Sequence, residues 1–168
     1  SESVTYTYTK VAGVTVGGTI TSYGSASEAV TVTLLQGTSE VATKTLTGAS
    51  GSVPYSQNYS FSAVPAGEYT LKVEKKGHAP WTESITVEST AVTKDVTVYL
   101  YGDVNRNGKV TVLDVSWILQ YLVEEKTFDE YQLLLADVNK SGNISVLDAS
   151  WIRQFLVGSR NEYYELIN

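Results

Sequence analysis

Residues 103–123 and 137–157 are two copies of one sequence, offset by 34 residues and identical at 13 of 21 positions. Each copy opens on a twelve-residue stretch, Asp103–Asp114 and Asp137–Asp148. Oxygen-bearing side chains stand at positions 1, 3, 5, 9 and 12: Asp103, Asn105, Asn107, Thr111 and Asp114, then Asp137, Asn139, Ser141, Ser145 and Asp148. Position 6 is glycine in both (Gly108, Gly142), and an apolar residue follows position 7. This is calcium-loop spacing, because calcium takes six to eight hard oxygens and alternate residues of a tight loop point at one centre. Gly108 and Gly142 permit the sharp backbone turn. Lys109 and Asn143 at position 7 are expected to offer main-chain carbonyls. Two Ca2+ ions are therefore expected, one per loop. The side-chain ligands expected at each site sum to a formal charge of −2, from the two Asp alone, and two ions would bring residues 102–168, with six bases and ten acids, from −4 to neutral. Magnesium fits less well, since it keeps several waters. Ser141 reaches less far than Asn107, so the second site is expected to be the weaker. A segment this small buries only ~60% of its unfolded surface, so calcium is expected to be structural.

Helical spacing follows each loop. Val115, Ile118 and Leu122 recur at i, i+3 and i+7, as do Ala149, Ile152 and Leu156. Thr111 and Ser145 stand three residues ahead of Asp114 and Asp148, as helix N-caps do. Thr127-Phe128-Asp129-Glu130 has capping-box form ahead of Tyr131–Ala136 and predicts a middle helix, and Gly158 falls where a helix-ending glycine belongs. The residues entering the first loop, Val96 to Tyr101, alternate like a strand, unlike the helix-flanked loops of calmodulin-like sensors.

The composition changes near residue 101: 18 of 20 Thr and all three Pro precede it, and five of six Asp follow. Period-two alternation predicts strands over 4–9, 14–21, 29–35, 41–46, 59–64, 69–75, 82–87 and 92–100, separated by Gly- and Pro-containing turns. An antiparallel sandwich over 1–101 and a separate domain over 102–168 are expected. With no linker between Tyr101 and Asp103, their boundary is expected to be fixed and packed.

A net charge of −6 argues against nucleic-acid and anionic-membrane partners, and no apolar run approaches the ~18 residues that span a bilayer. Without Cys there is no disulfide or thiolate chemistry, and the lack of Met suggests a fragment or processed product. The single histidine, His78, between Gly77 and Ala79, is expected on the surface. No nucleophile–base pair stands out, so no enzyme is expected. An alternative is a carbohydrate-binding sandwich, with Tyr23, Tyr55, Tyr59 and Trp81 stacking on sugars and a calcium-stabilised accessory domain behind it. Tyr163 and Tyr164 are expected to pack back on the second domain or fix the boundary.

Residues 102–157 resemble a dockerin domain: two loop–helix repeats, Asp at both ends of each loop, and a short connection. Residues 12–100 resemble the carboxypeptidase regulatory-like group of transthyretin-like sandwiches, chiefly through Tyr59–Val73 and Lys76-Gly77. The combination is similar to X-module–dockerin pairs. This implies an extracellular, non-catalytic, calcium-dependent adaptor, monomeric when free, that binds a cohesin module and attaches its parent to a cellulosome. The cohesin-facing positions implied are Val112, Leu113, Leu119 and Gln120 in the first copy and Val146, Leu147, Arg153 and Gln154 in the second. The best-known dockerins carry Ser-Thr where this chain has Val-Leu, which implies a more apolar contact and a different cohesin class. The expected fold class is two domains, an all-β Ig/transthyretin-like sandwich followed by an all-α dockerin.

Overall fold

The computed structural model describes residues 12–167; the strand expected over 4–9 lies outside them. Eight strands come first: β1 (Val14–Ser22), β2 (Val30–Gln36), β3 (Ser39–Leu46), β4 (Tyr55–Val64), β5 (Gly67–Lys75), β6 (Trp81–Val87), β7 (Val92–Thr93) and β8 (Val96–Val98). Alternation sets their faces, as in β5, which buries Tyr69, Leu71 and Val73 and leaves Thr70, Lys72 and Glu74 partly in solvent. One sheet pairs β1 with β4 on one side and with β7 and β8 on the other; the second runs β3-β2-β5-β6. They share a single core, with Val16, Ile20, Phe61 and Val98 from the first sheet meeting Val32, Leu34, Leu71 and Val73 from the second.

Two local expectations are corrected. The single strand expected over 92–100 is split into β7 and β8, and both run parallel to β1, not antiparallel. The split falls at Lys94-Asp95, which bulges toward β1: the Lys94 N–H donates to the Gly17 carbonyl at 2.8 Å and Asp95 Oδ1 accepts from the Thr19 N–H at 2.8 Å. Gly18 makes room there, because a Cβ at that position would overlap the Lys94 carbonyl. β4 begins at Tyr55, four residues before the expected start, and pairs with β1 down to Ser22.

Three helices follow: α1 (Val112–Leu122), α2 (Glu130–Ala136) and α3 (Val146–Leu156). They hold 11, 7 and 11 residues, fewer than half of residues 102–167, and the chain as a whole is mostly sheet. The expectation of an all-α second domain is therefore overturned. The loops consume the difference, because their backbone N–H groups bond to side-chain oxygens and not to carbonyls four residues back. Thr111 and Ser145 cap α1 and α3 in capping boxes closed by Asp114 and Asp148. The middle box is Asp129 with Gln132, and not the expected Thr127 with Glu130. Just past α1 and α3 the chain turns left-handed, at Glu124 with φ 61° and at Gly158 with φ 77°. The 34-residue repeat extends past the helices, for Lys126 lies 3.9 Å over Trp117 and Arg160 lies 3.8 Å over Trp151.

α1 and α3 bury Val115, Ile118, Ala149 and Ile152 in a second core that also takes in Leu135, Tyr164 and, from the sandwich, Ala79. Hydrogen bonds knit the junction. Segment 77–79 pairs with 99–101: Ala79 N–H donates to the Tyr99 carbonyl at 3.1 Å and Tyr101 N–H to the Gly77 carbonyl at 3.0 Å. From α2, the Tyr131 hydroxyl donates to the Ala79 carbonyl at 3.0 Å. The C-terminal tail returns to both parts. Tyr163 donates its hydroxyl to Glu28 at 2.8 Å, and the buried Tyr164 donates to the Tyr101 carbonyl at 2.8 Å.

Within this junction His78 is buried, with 4% of its surface exposed, which corrects the surface position expected from its flanking residues. Its Nδ1 lies 2.9 Å from the Lys76 carbonyl and its Nε2 lies 3.3 Å from the Tyr23 N–H. A carbonyl only accepts and an N–H only donates, so these partners fix a neutral ring protonated at Nδ1. Burial is the main cause that lowers its pKa to about 4.

Candidate metal loops and binding face

Each loop is built from the same set of contacts. In the first, Asp103 accepts the N–H of Asn107 at Oδ1 (3.1 Å) and of Gly108 at Oδ2 (2.8 Å), and Asp114 accepts those of Asn105 (3.2 Å) and Thr111 (2.8 Å). Asn105 Oδ1 accepts from Asn107 N–H and Asn107 Oδ1 from Lys109 N–H. The second loop repeats this: Asp137 accepts from Ser141 (2.9 Å) and Gly142 (2.8 Å), and Asp148 accepts from Asn139 (3.3 Å) and Ser145 (2.9 Å). Asn139 Oδ1 accepts from Ser141 N–H, whereas the Ser141 hydroxyl donates to the Asn143 carbonyl, so positions 5 and 7 of that loop are tied to each other. Backbone N–H groups thus hold the position 1, 3 and 12 side chains on their own loop in both copies, and the position 5 side chain as well in the first.

The donor set fits a hard cation. Asp103, Asp114 and Asp148 have no exposed surface, and among the described residues none of the four loop aspartates is ion-paired with Lys or Arg. Buried carboxylates without a positive partner are costly, and burial pushes Asp103 up to about 6, with the Gly108 N–H acting in the other direction. The Asn105 Nδ2 is buried without a partner, so the first loop does not satisfy all its own polar atoms. No three His, Cys, Asp or Glu side chains gather anywhere among the described residues. Each loop therefore relies on two carboxylates plus amide, hydroxyl and carbonyl oxygens. Thr111 and Ser145 have their hydroxyls committed to the caps, which leaves them to reach an ion through water, as position 9 of such loops often does.

Directly after each loop, the helix starts expose apolar side chains: Val112 74% and Leu113 50%, Val146 66% and Leu147 58%. Leu119 and Arg153 are exposed and Gln120 and Gln154 half-buried; Gln154 Oε1 accepts from Arg160 Nε at 2.7 Å and is held by it. Two residues on this surface were missed from the sequence. Val123 and Val157 are 64% and 76% exposed and lie eleven residues, about three turns, after Val112 and Val146. The signal was there, since positions i, i+7 and i+11 form a stripe out of phase with the buried Val115 and Ile118. Of the four aromatic residues expected to stack on sugars, Tyr55 and Trp81 are half-buried. Tyr59 is buried, and Tyr23 stacks on Tyr99 with ring centroids 5.4 Å apart.

Residues 101–157 match the family model of the dockerin type I domain, and residues 15–101 match that of the carboxypeptidase regulatory-like domain. The chain belongs to the carboxypeptidase regulatory-like family and carries a type I dockerin. Dockerin domains are generally calcium-binding. A solved complex of the third ScaC cohesin with a mutated ScaB dockerin from Acetivibrio cellulolyticus, displaying a type I interaction, contains a chain 35% identical to this one, with 36% of this chain and 85% of that chain covered and a TM-score of 0.34. Two type II cohesin–X–dockerin interface mutants from Acetivibrio cellulolyticus are 20% identical, with 84% of this chain and 94% of theirs covered, at TM-scores of 0.39 and 0.34. No curated protein is similar to the chain at a significant level. No helix among the described residues is long and apolar enough to cross a membrane.

Proposed function

We propose that this sandwich–dockerin pair is a non-catalytic, calcium-dependent adaptor that binds a cohesin module and attaches its parent protein to an extracellular cellulosome or cell-surface scaffold. The sandwich is the X module, residues 1–101, and the dockerin is residues 102–168. Each loop holds one Ca2+ through Asp103, Asn105, Asn107, the Lys109 carbonyl, Thr111 and Asp114, and through Asp137, Asn139, Ser141, the Asn143 carbonyl, Ser145 and Asp148. The ions supply charge neutralisation; the residues themselves orient the first turns of α1 and α3. Cohesin is met by Val112, Leu113, Leu119 and Gln120, or by Val146, Leu147, Arg153 and Gln154, with Val123 and Val157 extending the two stripes.

The observation that carries this reading is the coupling of inward carboxylates to outward valine and leucine within single turns of helix. Asp114 is fully buried while its neighbours Val112 and Leu113 stand in solvent, and Asp148, Val146 and Leu147 repeat the arrangement. Calorimetry of the full chain against a panel of cohesins, with calcium and with chelator, tests it. Binding to at least one cohesin that disappears in chelator is the expected result, and binding unchanged in chelator contradicts it.

A further inference from the structure

The two loops are alike in sequence but not in surroundings. Gly108, at position 6 of the first loop, is buried, and a Cβ there would overlap the Tyr23 ring. Gly142, its counterpart, is exposed and has nothing within 4 Å of where a Cβ would stand. Asp103 is fully buried, whereas Asp137 is only partly so. The difference is the sandwich, which reaches only one of the two loops at this position.

Tyr23 is held in place from several sides. It follows β1 directly, and its ring stacks on Tyr99 at an interplanar angle of 19°. Its N–H donates to His78 Nε2 at 3.3 Å, and its carbonyl accepts from Lys75 Nζ at 2.9 Å. Both side chains are buried, and Lys75 is itself steadied by the Ser22 hydroxyl at 3.2 Å. Burying a lysine and a histidine at one backbone unit makes that unit rigid, because each would otherwise lose its hydrogen bond in a place water does not reach.

We infer that Tyr23 is a wall of the first calcium loop, so that the sandwich closes the first loop at its glycine and leaves the glycine of the second untouched. The inference rests on the reading that both loops hold calcium. The ring packs on the glycine whose N–H fixes Asp103, so it limits how far the loop can open and acts as a positioning residue, not as a ligand. Removing such an outer support lowers metal affinity by about tenfold or more. Linkage makes the effect reciprocal, and calcium in the first loop steadies the sandwich against the dockerin by the same factor.

The test is a calcium titration of the chelator-treated, 15N-labelled full chain, following the amide signals of Gly108 and Gly142 separately. In Tyr23→Ala the Gly108 midpoint is expected to rise about tenfold, with Gly142 unchanged and Tyr23→Phe behaving as the unsubstituted chain. An unmoved Gly108 midpoint, or equal shifts at both glycines, overturns the inference. If Tyr23→Ala does not fold, Lys75→Met releases the Tyr23 carbonyl and is expected to weaken the Gly108 response selectively; no selective effect there overturns it as well. If neither glycine of the unsubstituted chain responds to calcium, the calcium reading itself fails, and the inference falls with it.

Discussion

The polar residues of the loops announced themselves because their task is local. Oxygens at alternate positions around a glycine can be read directly, and Asp103, Asn105, Asp114 and their counterparts accept backbone N–H groups within their own loops. His78 could not be read this way, since its burial comes from pairing between 77–79 and 99–101, 22 residues downstream. Its environment makes a pH prediction. The folded pKa, about 4, lies below the ordinary value of 6.5, so between these the unfolded chain binds more protons. His78 therefore contributes stability that is present above pH 6.5 and is lost as the pH falls toward 4, a change of about 3 kcal/mol in full. Denaturant unfolding of the calcium-saturated protein and of His78→Gln at pH 7 and pH 4.5 measures it. The unsubstituted chain should lose more stability over that interval than the variant, and parallel losses would refute the assignment.

The strands and helices follow their own periodicities closely, and the misreadings occur where partners or loops intervene. β7 and β8 looked like one strand because Val92 to Leu100 alternates throughout, but alternation says nothing about direction or about the Lys94-Asp95 bulge that Gly18 admits. The second half looked all-helical because its apolar spacing is helical, yet the loops and the tail claim the larger share of residues. On α1 and α3 the buried stripe and the exposed stripe can be changed independently. Val112→Ser with Leu113→Ser, or Val146→Ser with Leu147→Ser, is expected to leave stability within about 0.5 kcal/mol, because both pairs are exposed. Cohesin affinity, measured by calorimetry, separates the outcomes. Binding that survives either pair alone but not both supports two orientations. Loss on changing one pair only, with Leu119 in one copy and Arg153 in the other, indicates one preferred face.

Two cores joined by hydrogen bonds predict how the chain comes apart. The sandwich core draws on strands alone, whereas the second core takes Val104 and Val138 from loops whose buried carboxylates lack cationic partners among the described residues. An ion present at ~1,000 times its dissociation constant adds ~4 kcal/mol to the part that holds it. Calorimetric melting in chelator should therefore show an early transition that removes the helical circular-dichroism signal, followed by the sandwich, whereas excess calcium moves the early step upward. Identical traces in both conditions would count against a structural role for the ions. The tail that ties Glu28 to Tyr163 and Tyr101 to Tyr164 was foreseen as a boundary fixture only in outline, because its contacts reach back 135 and 63 residues. The single tyrosine seated on Gly108 has a consequence for ancestry. A duplicated unit starts as twins, but a neighbour with one cheek to offer can press on only one of them. From then on the twins answer to different judges: a side chain admitted at position 6 of the second copy meets only its own backbone, while the same letter in the first must also pass the sandwich.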